Sequence, residues 1–395
     1  MVKRFGLLAA GALVASVGWG SAALAADSKA ALYGDLRFGL DYSDSQGPVT
    51  TASGAEEDTD FRELNSFAGV KGSTTQDRLT AFGAYEFYLD GVLGPVLLGA
   101  TTNLMATRQA YVGVACEGLG TLSFGRMFTD YARSGLALDP FVNTSLANPF
   151  GGTPDAASLG ILASGAPYVS YGLSPLLTGE IGVATLGAIQ GNQLAYASPS
   201  FGGVSFNAGV FIDENDDGTT GGGTDEESHD YAGGLSFNLA GISAGVQHLQ
   251  MNDEVGGGTF IGAGGTGAGG TGDASATRLH AGFNQKAFGV NLSHELVDLQ
   301  GVGANDEQYY YLSSWFGLGA ATRLAASVGM TNETAFEGSG VQVGVFHDVI
   351  EGLTMHAGGS MYDLEDNSVS GPAAVDDTYT IALGASYKFQ LGTGK

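Results

Sequence analysis

The amino-acid sequence predicts an all-β fold, a transmembrane antiparallel β-barrel of about 16 strands. Three observations carry that prediction. The chain begins with an export signal, its later segments alternate apolar and polar residues with a period of two, and the connectors between them alternate short and long.

The signal comes first. Lys3 and Arg4 form a positive start, an apolar run extends from Phe5 to Trp19, and Ala23-Leu24-Ala25 offers a small-x-small cleavage site. Residues 1–25 are therefore expected to be removed as a signal peptide, leaving 26–395 as one barrel domain. The alternative, a membrane anchor, needs about 20 apolar residues, and no stretch reaches that length. A chain that enters a membrane without such a helix must cross it as a closed barrel, because every backbone polar group needs a partner in hydrocarbon.

The strand segments follow. Within 31–42, Leu32, Leu36, Phe38 and Leu40 share one face while Asp35, Arg37 and Asp41 share the other. Within 230–239, Tyr231, Leu235, Phe237 and Leu239 oppose Asp230, Ser236 and Asn238. Within 378–389, Tyr379, Ile381, Leu383, Tyr387 and Phe389 oppose Thr378, Thr380, Ser386 and Lys388. A soluble β-sandwich alternates as well. The aromatic residues distinguish the two, because Tyr33, Tyr42, Tyr231, Tyr379 and Tyr387 fall near strand ends, where interfacial girdles belong.

The connectors set the count. Short ones at 74–77, 117–120, 199–203, 238–241, 285–289, 317–321 and 349–352 make seven inner turns. Long ones at 44–58, 91–105, 128–193, 213–229, 252–275, 298–307, 332–338 and 365–376 make eight outer loops. Fifteen connectors join sixteen strands, which leaves an aqueous lumen rather than a packed core.

Composition agrees and excludes. Sixty-six glycines would suit disorder, but 16 tyrosines, 21 phenylalanines and regular alternation do not. Removing the signal takes away two of 15 basic residues and none of the 41 acidic ones, lowering the formal net charge from −26 to −28. Nucleic acid is excluded as a partner, since a phosphate backbone needs a basic face. A single cysteine, Cys116, cannot close an internal disulfide, so stability must come from hydrogen bonding.

Several stretches then resemble the Gram-negative general porin family (16-stranded, trimeric). Ala31-Leu32-Tyr33-Gly34 is similar to its first strand, and Phe67-Ala68-Gly69-Val70-Lys71-Gly72 to its second. Thr107-Arg108-Gln109-Ala110-Tyr111-Val112-Gly113-Val114, followed by 118–126 ending in Phe124-Gly125-Arg126, resembles the hairpin that leads into the constriction loop. Tyr196-Ala197-Ser198-Pro199 with Phe201–Phe206 resembles a later hairpin, and Tyr387-Lys388-Phe389 the C-terminal assembly signal. The pieces run in family order along essentially the whole mature chain. Two departures stand out: six residues follow Phe389, and 126–193 is long enough to hold a further "Y-x-SP" strand near Tyr168.

The resemblance implies a third loop, about 128–193, folded into the lumen. Parity adds a detail, because Leu122 and Phe124 point outward and would send Arg126 into lipid, so the chain is expected to leave the wall there. The expected constriction sets loop acids Asp130, Asp139 and Asp155 against wall residues Arg37, Lys71, Arg78, Arg108 and Arg126, with Asp35 and Glu86 interleaved. Opposed charges across a wet gap order water and disfavour nonpolar solutes, and fixed charge sets ion preference. Each of these residues has a plainer reading as a solvated lumen charge.

Other constellations fail. Asp213-x-Asn215-x-Asp217-Gly218 begins like a calcium loop, but Thr224 stands where a bidentate Glu belongs. Loosely bound divalent cations are the only cofactor these residues suggest. Gly265-x-Gly267-x-x-Gly270 lies in a low-complexity loop without strand-to-helix context, and no nucleophile elbow is present. The expectation is a non-enzymatic outer-membrane porin passing small hydrophilic solutes and ions, weakly cation-selective, homotrimeric, and surrounded by lipid and lipopolysaccharide. The alternatives are a solute-specific porin, with Phe128, Tyr131, Phe141 and Phe150 as a thin aromatic row, and an acidic adhesin or structural barrel.

Overall fold

Backbone pairing follows the predicted rhythm in a computed structural model that describes residues 27–45, 57–63, 66–89, 107–142, 144, 146, 189–212, 230–251, 274–299, 307–332, 336–366 and 378–393. The described residues form β1 (Ser28–Ser45), β2 (Glu57–Glu63), β3 (Phe67–Gln76), β4 (Leu79–Tyr88), β5 (Thr107–Cys116) and β6 (Gly120–Phe128). A short helix α1 (Asp130–Leu136) precedes β7 (Ile189–Ala197), β8 (Val204–Phe211), β9 (Asp230–Leu239), β10 (Ile242–Met251) and β11 (Ala274–Asn284). Then come β12 (Phe288–Leu299), β13 (Glu307–Gly317), β14 (Thr322–Asn332), β15 (Phe336–Ile350), β16 (Leu353–Asp366) and β17 (Thr378–Thr393).

From β3 onward each strand pairs antiparallel with the next, and β17 returns to β1 from Ala30 opposite Thr393 to Ser45 opposite Thr378. The sheet is therefore closed. β2 and β3 lie end to end along the other edge of β1 and fill one wall position, so seventeen described strands make a 16-stranded barrel. Phe38 stands opposite Glu63, but Asp35 stands opposite Phe67. Between these pairings β1 advances three residues and the other edge four, so the side-chain phase inverts from β2 to β3. Ser66 repairs the ladder: its Oγ accepts from the Arg37 N–H at 2.8 Å and donates to the Arg37 carbonyl at 3.2 Å.

Why these residues make a wall is visible in their two faces. Outward positions are apolar and exposed, as at Val112 (62%) and Ile381 (66%), while alternate positions carry buried polar groups such as Gln247, Arg278, Ser313 and Gln342. That inversion of a soluble protein's pattern is what lipid outside and polar matter inside require. Tyr42, Tyr231, Tyr379 and Tyr387 are exposed on the outward face. Tyr33 differs from the expectation: it shares the inward parity of Asp35, and its hydroxyl meets Glu86 rather than an interface.

All seven expected short turns appear, at 77–78, 117–119, 198–203, 240–241, 285–287, 318–321 and 351–352. Ala240 (φ 53°) and Gly241 (φ 88°) give a two-residue turn of the left-handed kind that suits hairpin twist. Ala30 beside Thr393 places both ends of the wall together, at the turn end. The residues after Phe389 extend β17 as far as Thr393, so they belong to the wall. Among the described residues no helix is long and apolar enough to cross a membrane; strands do the crossing.

Candidate functional site

Inward side chains gather into two clusters on opposite parts of the wall. The first is centred on Glu86 of β4. Tyr33 donates to its Oε1 at 2.5 Å, Gln109 donates to its Oε2 at 2.6 Å, and Arg108 forms an ion pair with the same Oε2. Gly69, opposite Glu86 in β3, leaves the room: a Cβ there would come within 2.9 Å of the Glu86 Cγ and 2.6 Å of the Tyr85 carbonyl. Strict alternation from Val112 and Val114 would turn Arg108 outward. The register shift between Glu86 and Phe87 makes Arg108 the extra residue of a bulge, and both it and Gln109 reach Glu86. Its guanidinium lies 4.2 Å from the Phe67 ring centroid and 4.7 Å from that of Phe128. Nearby, Arg37 pairs with Asp35 at 2.7 Å, and Lys71 stands over Tyr33 at 4.6 Å.

Of the other expected basic residues, Arg126 stays near this cluster, close enough to Tyr88 to interact with it electrostatically, and Arg78 does not. Arg78 is exposed in the Asp77–Arg78 turn, at the far end of the hairpin from Glu86, which removes it from this cluster. Arg126 is not where the chain leaves the wall. β6 keeps pairing with β5 through Arg126 and with β7 through Phe128, the phase being absorbed by a bulge between Gly125 and Met127. The chain departs at Thr129.

From Thr129 the segment is anchored on the opposite side. Thr129 caps α1 by accepting from the Ala132 N–H at 3.0 Å. Tyr131 is fully buried and donates to Glu295 of β12, which pairs with Arg278 of β11 at 3.3 Å. Arg278 also donates to the Tyr131 carbonyl and, at 2.9 Å, to Ser134 Oγ, while its guanidinium covers the Tyr131 ring at 4.2 Å. Further along, Ser313 of β13 donates to the Leu138 carbonyl at 2.5 Å, and Gln342 of β15 to the Leu146 carbonyl at 2.8 Å. Phe141 and Leu146 pack with Ala325, Phe346 and Ala382, with Trp315 alongside. Gly344 and Gly358 admit those side chains.

The two described loop acids, Asp130 and Asp139, are thus engaged rather than presented. Asp130 pairs with Arg133 one helical turn on, at 3.4 Å. Asp139 is buried, accepting from the Tyr311 hydroxyl at 2.5 Å and the Phe141 N–H at 2.8 Å, with Oδ2 left without a partner. Burial pushes its carboxyl up to about 6, against the lowering effect of those two donors. A carboxyl raised in the folded state stabilises it fully below its ordinary value near 3.8, and that contribution disappears as pH rises through 6. The segment should therefore hold more tightly at pH 5 than at pH 7.5. Asp139→Asn keeps both acceptor bonds without the charge. It is expected to remove the pH dependence and to stabilise the docked segment at pH 7.5 by on the order of 2–3 kcal/mol. Rates of proteolytic nicking between Thr129 and Leu146, parent against variant at each pH, provide the measurement.

Asp155 and the candidate cation ligands Asp213, Asn215 and Asp217 lie outside the described residues, as do residues 1–26 and the stretch around Tyr168. Among the described residues no three His, Cys, Asp or Glu side chains are grouped to hold a metal ion. Tyr387 and Phe389 stack at 6.3 Å, and Phe389 covers Gly34 at the closing seam.

Between the segment and the wall, on the short-turn side, lies a cavity of about 390 Å³. Arg37, Arg323, Lys388 and His356 reach it, with Trp315 and Phe346 as its aromatic lining. Sequence reasoning did not nominate Arg278, Glu295, Tyr311, Arg323 or Lys388. The available signal was a lone charge at an inward position of an otherwise uncharged strand, as at Arg278 and Lys388.

The model of a family described as Gram-negative porin matches residues 9–390. Among solved structures, an anion-selective porin from Comamonas acidovorans is similar with a TM-score of 0.66 at 15% identity, covering 92% of this chain and 100% of that one. OmpT of Vibrio cholerae gives 0.61 at 18% identity, with coverages of 93% and 100%. Salmonella typhi OmpF, in complex with daunomycin, gives 0.59 at 13%, with coverages of 91% and 97%. A comparison with curated proteins finds no match. At these identities the solved structures establish a shared fold, while the family match spans nearly the whole sequence. The chain belongs to the Gram-negative porin family and is an outer-membrane channel, not an enzyme.

Proposed function

We propose that the barrel is a passive, water-filled pore for small hydrophilic solutes and ions, narrowed by the segment that starts at Thr129 and weakly selective for cations. One observation carries the narrowing: a segment leaving β6 is hydrogen-bonded to inward side chains of β11, β12, β13 and β15. A barrel of about 16 strands has an aqueous lumen, and such a segment reduces its bore. In this reading Arg37, Lys71 and Arg126 mark the wall side, with Asp130 and Asp155 on the segment.

Cation preference is supported by a net charge of −26 and by acidic runs such as 213–217 and 225–227 in the long connectors. The Comamonas acidovorans porin is anion-selective, and at 15% identity that property does not carry across. Reversal potentials of single channels under a tenfold KCl gradient test the reading. A potential of the sign set by K⁺ is expected; the Cl⁻ sign would overturn the selectivity, and no conductance would overturn the pore.

The solute-specific alternative draws little support from the aromatic row. Tyr131 and Phe141 are buried in packing, and one face of Phe128 is covered by Arg108, so the three do not form a continuous open track. The homotrimer follows the family, and a trimer form of the Vibrio cholerae protein is among the similar structures. Ile381 and Leu383, outward and exposed on β17, are the apolar residues we assign to that contact, with Leu36 and Phe38 further along the same seam on β1, opposite Tyr387 and Ala385. The remaining outward belt meets lipid and lipopolysaccharide.

A further inference from the structure

We infer that the cavity on the short-turn side of the segment is a binding station for small organic acids that carry an aromatic body. The inference rests on the pore reading, because a solute reaches this cavity only through the lumen. It adds a ligand class to a channel otherwise described by size and charge.

Cations converge there from neighbouring strands. Lys388 stands directly across β17–β1 from Asp35, and Arg37 across from Ser386. Arg323 begins a crosswise row that continues through Phe346 and His356 to Gly384 and Gly39. The last two positions have no side chains, and a Cβ at Gly384 would strike the His356 imidazole. Gly384 therefore makes room for the imidazole.

Each carboxylate of this neighbourhood has one oxygen held by a donor, while Asp35 Oδ1 and Asp139 Oδ2 keep no hydrogen-bond partner. Asp35 accepts from Arg37, Asp139 from Tyr311 and the Phe141 N–H, and Asp348 from Thr354 at 2.6 Å. Arg323 and Lys388 make no ion pair within 4.0 Å among the described residues, although Lys388 faces Asp35 across the ladder. His356 is 7% exposed, and its Nε2 has no hydrogen-bond partner. A buried polar atom without a partner is uncommon, and His356, whose Nε2 sits against Gly384, lines a cavity large enough for a ligand.

Two aromatic rings also line the cavity, among polar neighbours such as Asn284 and Asn291. They are Trp315 and Phe346, the Trp315 N–H being taken up by Asn284, another lining residue, at 3.3 Å. The Arg323 guanidinium already lies 4.6 Å from the Phe346 ring centroid, so a flat apolar body entering there meets both an aromatic face and a cation. Cationic donors together with rings match a carboxylate attached to a ring. A purely mineral anion would leave the rings unused, and a neutral aromatic would leave the donors unused.

Benzoate is the probe, with acetate and benzyl alcohol as its two halves. Added to single channels in a planar bilayer, benzoate is expected to reduce the current saturably at millimolar concentration. Acetate and benzyl alcohol should each need about tenfold more, the step that one good interaction provides. Arg323→Gln and Lys388→Gln should each weaken the benzoate effect about tenfold while leaving unblocked conductance open. Equal block by benzyl alcohol, or block unchanged in both variants, would overturn the station. Conductance without any block would do the same and leave the pore reading intact. Absence of conductance sinks the pore reading instead, and equilibrium dialysis of the detergent-solubilised protein against benzoate then reads the station on its own: binding supports it, no binding overturns it.

Discussion

Replacing Arg278 with methionine is expected to release the segment after β6 and to give a larger, noisier single-channel conductance from a barrel that still assembles. Arg278 and Glu295 are 0% and 1% exposed, so neither charge is solvated. Removing the cation leaves Glu295 buried beside Tyr131 and deletes donors to the Tyr131 carbonyl and Ser134. Breaking a buried pair from one side costs about 3–5 kcal/mol, enough to reverse the docking of a short segment. The wall itself loses no backbone ladder bond, and heat-modifiable gel mobility should report an intact barrel. The double change Arg278→Met, Glu295→Leu removes both charges and should recover part of the quiet conductance. If the single change leaves conductance and noise untouched, the segment does not narrow the pore.

Gly34→Val is the second large effect, and it should appear as failure to close the barrel. A Cβ at Gly34 would sit 2.5 Å from the Phe67 carbonyl and 2.7 Å from the Phe389 ring, which lies across it at the β1–β17 seam. Overpacking a filled site costs roughly 1–3 kcal/mol, and here the strain falls on the pairing that joins the first strand to the last. The fraction of heat-modifiable barrel after refolding should fall sharply. Gly72→Ala makes the matching control, because its Cβ would meet nothing nearer than the Lys29 carbonyl at 3.5 Å. Equal yields from the two variants would remove the seam from the argument.

Most of the wall was legible because lipid and water impose a period of two that survives without any tertiary information. Alternation in 31–42, 230–239 and 378–389 assigned faces that the structure repeats, and turn residues located every inner hairpin. What alternation could not show is where the phase slips. Arg108 faces inward only because a bulge makes it an extra residue, and Arg126 remains in the wall because β7 absorbs the mismatch. Charges posed a second difficulty. Their identity is in the sequence, but their partners are not, since Tyr131 and Glu295 lie 164 residues apart and Tyr311 and Asp139 lie 172 apart. A row of acids and a row of bases thus suggested an open transverse field, whereas Arg108, Arg37, Asp130 and Asp139 are each held by a neighbour.

The interruption between β2 and β3 acts as an expansion joint. Ser66 holds Arg37 through its hydroxyl, and the two halves of that wall position pair with β1 in registers that differ by one residue. A residue gained or lost between β2 and β3 would shift β2 against β1 and leave the β3 pairing in place. The inward face of β3, and with it Gly69 under Glu86, would keep its setting. Outer surface and inner machinery are free to vary at different rates along one strand position.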